Sequence, residues 1–566
     1  MGGMGMRRRA AVFFVIALFM LGALILRVYV LTDEPLAQVA DQQASLTVTV
    51  ANARGTIYDT NLKPLVNADT EYRACLSPTP QALSAVSGSL SKEELEELTV
   101  RLQSGKPVAV ALDGPPSSAG GLVVVDAPVR YTEPLLAPHV LGYMDGDGLH
   151  GVSGAELVFD ELLNACSGAA EATYTVDAVG RPLQGISPTL SNTLDSSKAG
   201  VVLTIDSEIQ KIAENAAKEH ITKGAVVVME PSTGRILAMV SLPDYQPSTV
   251  ADCLDQEDGP LLNRALCNYN CGSVFKIVTA AAAIEAGIPL DTSYTCYGAV
   301  DVGGVTFHCH NRLGHGTLNM TEAFAESCNP YFIRLAQQMG GQTLYNMAVA
   351  LGFDRPVILA EGWKTARAVL PSETELLAPA AVANLAFGQG ALMATPVHIA
   401  QLVAAVVNDG EIIRPTLLKG TVDVQGVVTE EAVAPAQTAF SASTARTLRE
   451  MMLAVVEEGT GRSARPFELG GGGKTGTAET GWEQDGKEVV QSWFGGFYPA
   501  EDPQYVVVVL AEDAENTGGQ SSPVYKQICE ELTMLEKQRE AEKQAAGQAG
   551  EPAQEPAAED GSESGE

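Results

Sequence analysis

Seventeen apolar residues in a row, Ala10 to Leu26, constrain this chain more than any other feature. They follow Arg7, Arg8 and Arg9. As a helix they reach roughly 26 Å at ~1.5 Å per residue, slightly short of a ~30 Å hydrocarbon core. Arg27 can extend its charge to the interface, so Val28 to Leu31 add a further turn. Residues 10–31 are therefore expected to cross a membrane once. The arginines hold residues 1–9 in the cytoplasm, which places the rest of the chain on the outer side. A cleaved leader is the competing reading. No A-x-A site follows Leu31, and the run is long for a leader. No later stretch approaches the ~18 apolar residues that crossing requires, so a single-pass anchor in the cell membrane is expected.

The 566 residues leave room for two to four domains. Hydrophobic residues make up 46% and charged residues 19%, so most of the chain can build packed cores. The balance of 36 basic and 69 acidic residues gives a net charge of −33. That charge excludes sequence-independent nucleic-acid binding, which needs a basic surface. Nine cysteines are too few for a disulfide scaffold. Outside the membrane, pairs are nonetheless allowed, and the odd count leaves at least one thiol free or joined to another chain.

Residues 32–200 read as short strands and irregular stretches with one helix near Ser91–Ser104. The pattern changes at Val201–Ile205, a strand followed by Asp206, which can cap a helix through His220. Gly224–Glu230 and Arg235–Leu242 are β-rich runs joined by Pro231-Ser232-Thr233-Gly234, the signature of a hairpin. Ala-rich helices are expected at 274–287 and 379–408, strands at Ser492–Tyr498 and Tyr505–Glu512, and a last helix over 523–543. Residues 541–566 carry seven acids against one Lys and no core-forming pattern, so a disordered acidic tail is expected there.

Three short motifs carry chemistry. The first is Cys271-Gly272-Ser273-Val274-Phe275-Lys276, entering a helix. Positions i and i+3 share a helix face, so Ser273 and Lys276 meet. A serine hydroxyl is a weak nucleophile and needs a base beside it; a desolvated lysine can serve. The helix amino end adds N–H groups suited to an oxyanion. The second is Ser327-Cys328-Asn329, ahead of Pro330. The third is Lys474-Thr475-Gly476-Thr477, after Gly470 to Gly473, where a cation and two hydroxyls on a strand edge can bind a carboxylate and Gly476 permits close backbone approach. A phosphate loop is excluded because its first glycine would fall at Glu468. Singly each motif is weak. Together, in the order S-x-x-K, S-x-N, K-T-G, they are the trio of penicillin-binding proteins and serine β-lactamases.

The chain thus resembles a class B penicillin-binding protein, a monofunctional peptidoglycan D,D-transpeptidase, of the division or sporulation type. Further segments carry the resemblance: Arg54-Gly55-Thr56-Ile57-Tyr58-Asp59, Gly151-Val152-Ser153-Gly154-Ala155-Glu156, Leu203-Thr204-Ile205-Asp206, Asn263-Arg264-Ala265, Gly388-Gln389-Gly390 and Trp493-Phe494-Gly495-Gly496. It covers about residues 50–530. Cys271 stands where the family usually has Pro, and Thr60 and Leu62 replace the usual Arg and Gly of the pedestal start. The resemblance implies an α/β (α+β type) fold. A β-rich pedestal over 32–200 precedes a transpeptidase domain over 201–540, whose central antiparallel sheet is flanked by helices.

The resemblance also implies roles. Ser273 is the nucleophile, Lys276 its proton acceptor, and Ser327 the relay to the leaving D-Ala. Asn329 holds the donor peptide amide and Lys276. Lys474, Thr475, Gly476 and Thr477 bind the terminal carboxylate. Stem peptides ending in D-Ala-D-Ala donate, an amine accepts, and β-lactams acylate Ser273 as mimics. No metal or organic cofactor is needed, and a membrane partner supplies glycosyltransferase activity. A D,D-carboxypeptidase, a class D-like β-lactamase or sensor, and a catalytically dispensable scaffold are the alternatives.

His308, His310 and His315 surround Cys309. H-x-H beside Cys could bind zinc, but without a clear second pair of ligands the cluster reads as a polar rim of the site. Cys296, Cys309 and Cys328 fall within 33 residues, and a Cys309–Cys328 disulfide is the favoured pairing, set against buried free thiols.

Overall fold

A computed structural model describes residues 3–31, 44–484, 487–514 and 519–549. The first element is a helix, Gly3–Leu31, within which Arg8–Val30 is long and apolar enough to cross a membrane. Its apolar side chains face outward all round, Phe13, Phe14 and Phe19 among them. A helix apolar on every face, with none of its apolar span buried among the described residues, finds its solvent in lipid. It is the one such helix among the described residues, and the chain is a single-pass membrane protein.

The region expected to form a pedestal is built on two three-stranded antiparallel sheets. In one, Gly168–Thr175 lies between Ser45–Ala53 and Thr189–Asn192. In the other, Asp69–Leu76 lies between Val108–Leu112 and Leu122–Val129. The expected helix is Lys92–Leu102, opened by a reciprocal cap between Ser91 and Glu94, and it buries Leu98 and Leu102 against Leu76 and Val108.

Two pedestal segments singled out in the sequence meet in space. Arg54 Nε lies 3.1 Å from the Glu156 carboxylate, and Arg130 approaches the same group at 2.6 Å. Glu156 has no exposed surface, and the Tyr131 hydroxyl donates to it as well. A carboxylate so buried persists only because these partners surround it. Leu62, in the position where the family has Gly, takes φ 63°, so the turn keeps its left-handed conformation with a leucine in it. Thr56–Tyr58 then runs parallel to Gly200–Leu203, joining the start of the pedestal to the first strand of the catalytic region.

The catalytic region is organised by five strands: β1 (Gly224–Met229), β2 (Ile236–Leu242), β3 (Gly472–Gln484), β4 (Lys487–Tyr498) and β5 (Tyr505–Ala514). Their spatial order is β2-β1-β5-β4-β3, antiparallel throughout. β1 and β2 form the expected hairpin. Side chains alternate across the sheet with the strand period of two. Val226, Val228, Val507 and Val509 face the helices Ser207–His220 and Ser521–Ala549. Val227, Val506, Val508 and Leu510 face the opposite core, which holds the helix Pro396–Val407 and Ile277. Asp206 caps the Ser207–His220 helix as expected, and its carboxylate also receives Arg539 from the last helix at 2.7 Å.

Two differences from the sequence reading have simple causes. The single Ala-rich helix expected over 379–408 is two helices, Pro379–Ala386 and Pro396–Val407, separated by Gly388 and Gly390 at positive φ. The last helix runs to Ala549, into the segment expected to lack structure, because its Ala, Glu, Lys and Gln are strong helix formers. Residues 550–566 of that segment lie outside the described residues.

Candidate active site

Edge strand β3, the turn before Lys276 and the turn after Ala325 bring the three motifs together. Gly272–Phe275 forms a tight turn leading into the helix Lys276–Glu285. Gly272 has φ 54°, and a Cβ there would stand 2.7 Å from the Thr477 carbonyl oxygen. Gly388 has φ 83°, and a Cβ there would stand 1.9 Å from the Gly272 oxygen. Its own carbonyl accepts the Gly272 N–H at 3.0 Å. These glycines let the Ser273 turn press between β3 and the 388–390 loop. Trp493, fully buried on β4, donates from Nε1 to the Asn270 oxygen at 2.8 Å. Cys271 takes φ −76°, within the range a proline would impose, so the substituted position keeps its backbone geometry. Burial pushes its thiol up to about 12, which leaves it unreactive.

Lys276 has no exposed surface. Its Nζ lies 3.0 Å from Ser273 Oγ, 2.7 Å from the Ser327 carbonyl oxygen, 2.7 Å from Asn329 Oδ1 and 3.2 Å from Ser327 Oγ. Asn329 Nδ2 donates to the His308 carbonyl oxygen, so its Oδ1 faces the lysine. The two shortest contacts are to groups that only accept. A neutral amine uses both its N–H bonds on them and turns its lone pair toward Ser273 Oγ. Burial pulls the Lys276 ammonium down to about 7, opposed by the nearby sulfurs of Cys328 and Cys309. Lys474 is also fully buried, and burial together with the Lys276 charge holds its ammonium well below the usual lysine value. Its Nζ lies 3.0 Å from Ser327 Oγ. That hydroxyl therefore links the two amines.

Ser327 has φ 53°. A left-handed serine costs about 1–3 kcal/mol and persists where its surroundings hold it. Asn329 and Pro330 begin the helix Asn329–Met339, with Pro in its first turn, where no N–H is needed. Lys474, Thr475, Gly476 and Thr477 pair with Gly495, Phe494, Trp493 and Ser492 of β4. The outer edge of β3 is left free to line a cavity of about 710 Å³. Ser273, Ser327, Asn329, Thr475 and Thr477 line it as well, and all eight expected site residues thus lie at or immediately beside it. The sequence reading missed Thr460, whose hydroxyl hydrogen-bonds that of Thr475 at 2.8 Å. The Gly459-Thr460-Gly461 turn was its only local sign. A larger cleft, about 1180 Å³, lies in the pedestal beside Arg54, Arg73 and Arg130, away from the three motifs.

The disulfide expected between Cys309 and Cys328 is not formed; all nine cysteines are free thiols. The two sulfurs are neighbours, but Cys296 and His315 meet them as well, so the arrangement is a cluster of four donors and not an isolated pair.

A serine hydroxyl against a desolvated lysine, with a second lysine on a sheet edge, is an arrangement suited to acyl transfer. The chain matches the penicillin binding protein transpeptidase domain over residues 224–530 and belongs to that family. It is similar to Stage V sporulation protein D of Bacillus subtilis, 32% identical over 416 residues, which cover 70% of this chain and 62% of the relative. The D,D-transpeptidase domain of a peptidoglycan glycosyltransferase from Eggerthella lenta superimposes with a TM-score of 0.62 at 27% identity, covering 86% of this chain and 99% of that one. Penicillin-binding protein A of M. tuberculosis, solved as its imipenem acyl-enzyme complex, gives a TM-score of 0.53 at 28% identity, covering 58% and 79%.

Proposed function

We propose that this chain is a class B penicillin-binding protein that cross-links peptidoglycan stem peptides by D,D-transpeptidation. The observation that carries this reading is the placement of Lys276 Nζ, 3.0 Å from Ser273 Oγ and 2.7 Å from two acceptors, the Ser327 carbonyl oxygen and Asn329 Oδ1. In the proposed reaction Lys276 takes the Ser273 proton as Oγ attacks the carbonyl of the penultimate D-Ala. N–H groups of Ser273 and Thr477 stabilise the oxyanion. As the C–N bond breaks, the proton passes through Ser327, between the two lysines, to the leaving D-Ala. Asn329 orients the donor amide. Lys474, Thr475 and Thr477 hold the terminal carboxylate around Gly476. An amine of a neighbouring stem peptide then attacks the acyl-enzyme; Lys276 accepts its proton and returns it to Ser273 Oγ as the ester bond breaks, which releases the cross-linked peptide.

β-Lactams acylate Ser273 in the same way; the imipenem adduct of the M. tuberculosis relative supports this step. The arginines ahead of the anchor support a catalytic domain outside the cytoplasm. Glycan polymerisation falls to a separate membrane glycosyltransferase partner.

Fluorescent penicillin labelling of the full chain in detergent, wild type beside Ser273→Ala, tests the reading. A covalent band that fades slowly and is lost in the variant is expected. Rapid turnover would make the enzyme a hydrolase, and no band from folded wild type would remove Ser273 as nucleophile.

A further inference from the structure

Asn263-Arg264-Ala265 takes no part in the proposed reaction, yet Arg264 is almost wholly buried, with 2% of its surface exposed. Its Nε lies 2.6 Å from Glu512 Oε2, near the end of β5. Its two terminal nitrogens donate to the carbonyl oxygens of Gly259 and Asp258, and its backbone N–H donates to Ser241 Oγ at 3.0 Å. Lys223, the residue before β1, brings Nζ to 3.3 Å from Glu512 Oε1, and its carbonyl accepts the Glu512 N–H at 2.8 Å. Glu512 is therefore held by its backbone and by two cations. The Tyr269 hydroxyl donates to the same Oε2 at 3.1 Å. Burial and the Glu512 charge raise that hydroxyl above its usual value, so it keeps its proton and remains a donor.

Tyr269 stands four residues before Ser273 and opens the stretch that delivers it. Its N–H and carbonyl exchange hydrogen bonds with Ala394, both at 2.9 Å, just ahead of the helix Pro396–Val407. Its ring meets that of Trp493 edge-on, with centroids 6.4 Å apart, and Trp493 in turn holds the Asn270 carbonyl. The hydroxyl bond to Glu512 adds a tie to β5. Beyond Asn270 the chain has little slack. A Cβ on Gly476 would stand 3.0 Å from the Cys271 oxygen, and one on Gly272 would stand 2.7 Å from the Thr477 oxygen. A displacement of Tyr269 is therefore passed through Asn270, Cys271 and Gly272 to Ser273, whose Oγ lies 3.0 Å from Lys276 Nζ. A misplacement of ~1 Å between reacting groups can cost about a hundredfold in rate.

We infer that Glu512 is a positioning residue for acylation, acting through the Tyr269 hydroxyl to hold the Ser273 turn in register with Lys276. The inference rests on the acyl-enzyme reading. Neither Glu512 nor Tyr269 is among the described residues that line the catalytic cavity, so their effect passes through the chain and no proton moves through them. Arg264 and Lys223 serve by fixing the carboxylate, which gives Tyr269 a charge-assisted bond to a stationary acceptor. A second tyrosine–carboxylate pair supplies the comparison. Tyr505, at the opposite end of β5, donates to Glu536 of the last helix at 2.7 Å. It is buried much as Tyr269 is, with 9% and 6% of the two residues exposed. It does not lead into the nucleophile turn.

The test uses the full chain in detergent. Stopped-flow labelling over a range of fluorescent penicillin concentrations gives the saturated acylation rate and the half-saturating concentration separately. The variants are Tyr269→Phe, Glu512→Gln, the two combined, and Tyr505→Phe. Tyr269→Phe and Glu512→Gln should each slow the saturated rate about tenfold and leave half-saturation within about twofold. The combined variant should be no slower than the slower single one, because both changes remove the same contact. Tyr505→Phe should label at the wild-type rate. Circular dichroism monitors the fold, and if Glu512→Gln does not fold, Tyr269→Phe set against Tyr505→Phe decides alone. Any of three results would overturn the inference: a wild-type rate in Tyr269→Phe, losses that multiply in the combined variant, or equal slowing in Tyr505→Phe. Ser273→Ala keeps the two readings apart. A labelled wild type beside an unlabelled Ser273→Ala retains the nucleophile whatever the Glu512 result, whereas no band from folded wild type would remove both.

Discussion

Acylation of Ser273 should follow the titration of Lys276. With its ammonium at about 7, the lysine is about 9% neutral at pH 6, half neutral at pH 7 and about 91% neutral at pH 8. The second-order rate of penicillin labelling should therefore rise about tenfold from pH 6 to pH 8 and then level off. A lysine of ordinary value would instead give a rise of about a hundredfold over that interval and no plateau below pH 10. Stability provides an independent check. Between about pH 7 and 10.5 an unfolded Lys276 holds a proton that the folded one lacks, so folding is favoured as pH rises through that window. Integrated from pH 7 to pH 9, the contribution is about 2 kcal/mol. Lys276→Met should lose that increment and be more stable than wild type at pH 7. The assays are stopped-flow or gel-based labelling across pH 5.5–9.5, and denaturant unfolding at pH 7 and 9. A log rate that climbs with unit slope through pH 9 would refute a depressed Lys276. So would a pH-dependence of stability unchanged in the methionine variant.

Removing the hydroxyl between the two amines, Ser327→Ala, should slow acylation by about a hundredfold or more with the fold intact, as read by labelling kinetics beside circular dichroism. Gly388→Ala places a Cβ 1.9 Å from the Gly272 oxygen at a left-handed position; a loss of at least about 3 kcal/mol in denaturant unfolding and of labelling together is expected. Glu156→Ala strands Arg54 and Arg130 in the pedestal and should cost about 3–5 kcal/mol. Limited proteolysis should then cut the pedestal first, and a pedestal as resistant as wild type would show that this ion network is not what holds it.

The motifs were legible because their spacing encodes local geometry. Ser273 and Lys276 are one helical turn apart, and that alone predicts their contact. Asp206 was recognisable as a helix cap because a cap is defined by its next few neighbours. The Gly224–Leu242 hairpin announced itself through Pro231-Ser232-Thr233-Gly234. The helical break at Gly388 was harder to read. Its glycines are needed not by the local chain but by the Gly272 carbonyl, 116 residues away in sequence, which occupies the space a side chain would fill. Thr460 gave little more than its flanking glycines for the same reason: its partner Thr475 arrives on another element.

The cysteines mark the limit most clearly. Counted along the chain, Cys309 and Cys328 suggested a pair, and the nearby histidines lacked a second set of ligands. Folding brings Cys296 in by strand pairing and turns His315 toward the sulfurs, and a pair becomes a cluster of four. The sequence by itself determined the apolar span, the order of the three motifs and the meeting of Ser273 with Lys276, all of which depend on composition or on contacts within a few residues. Only the tertiary structure decided the protonation of Lys276, the strain at Ser327 and the company of Cys328. Burial, left-handed backbone and multi-element clusters are created by packing between distant segments, and no local pattern encodes them.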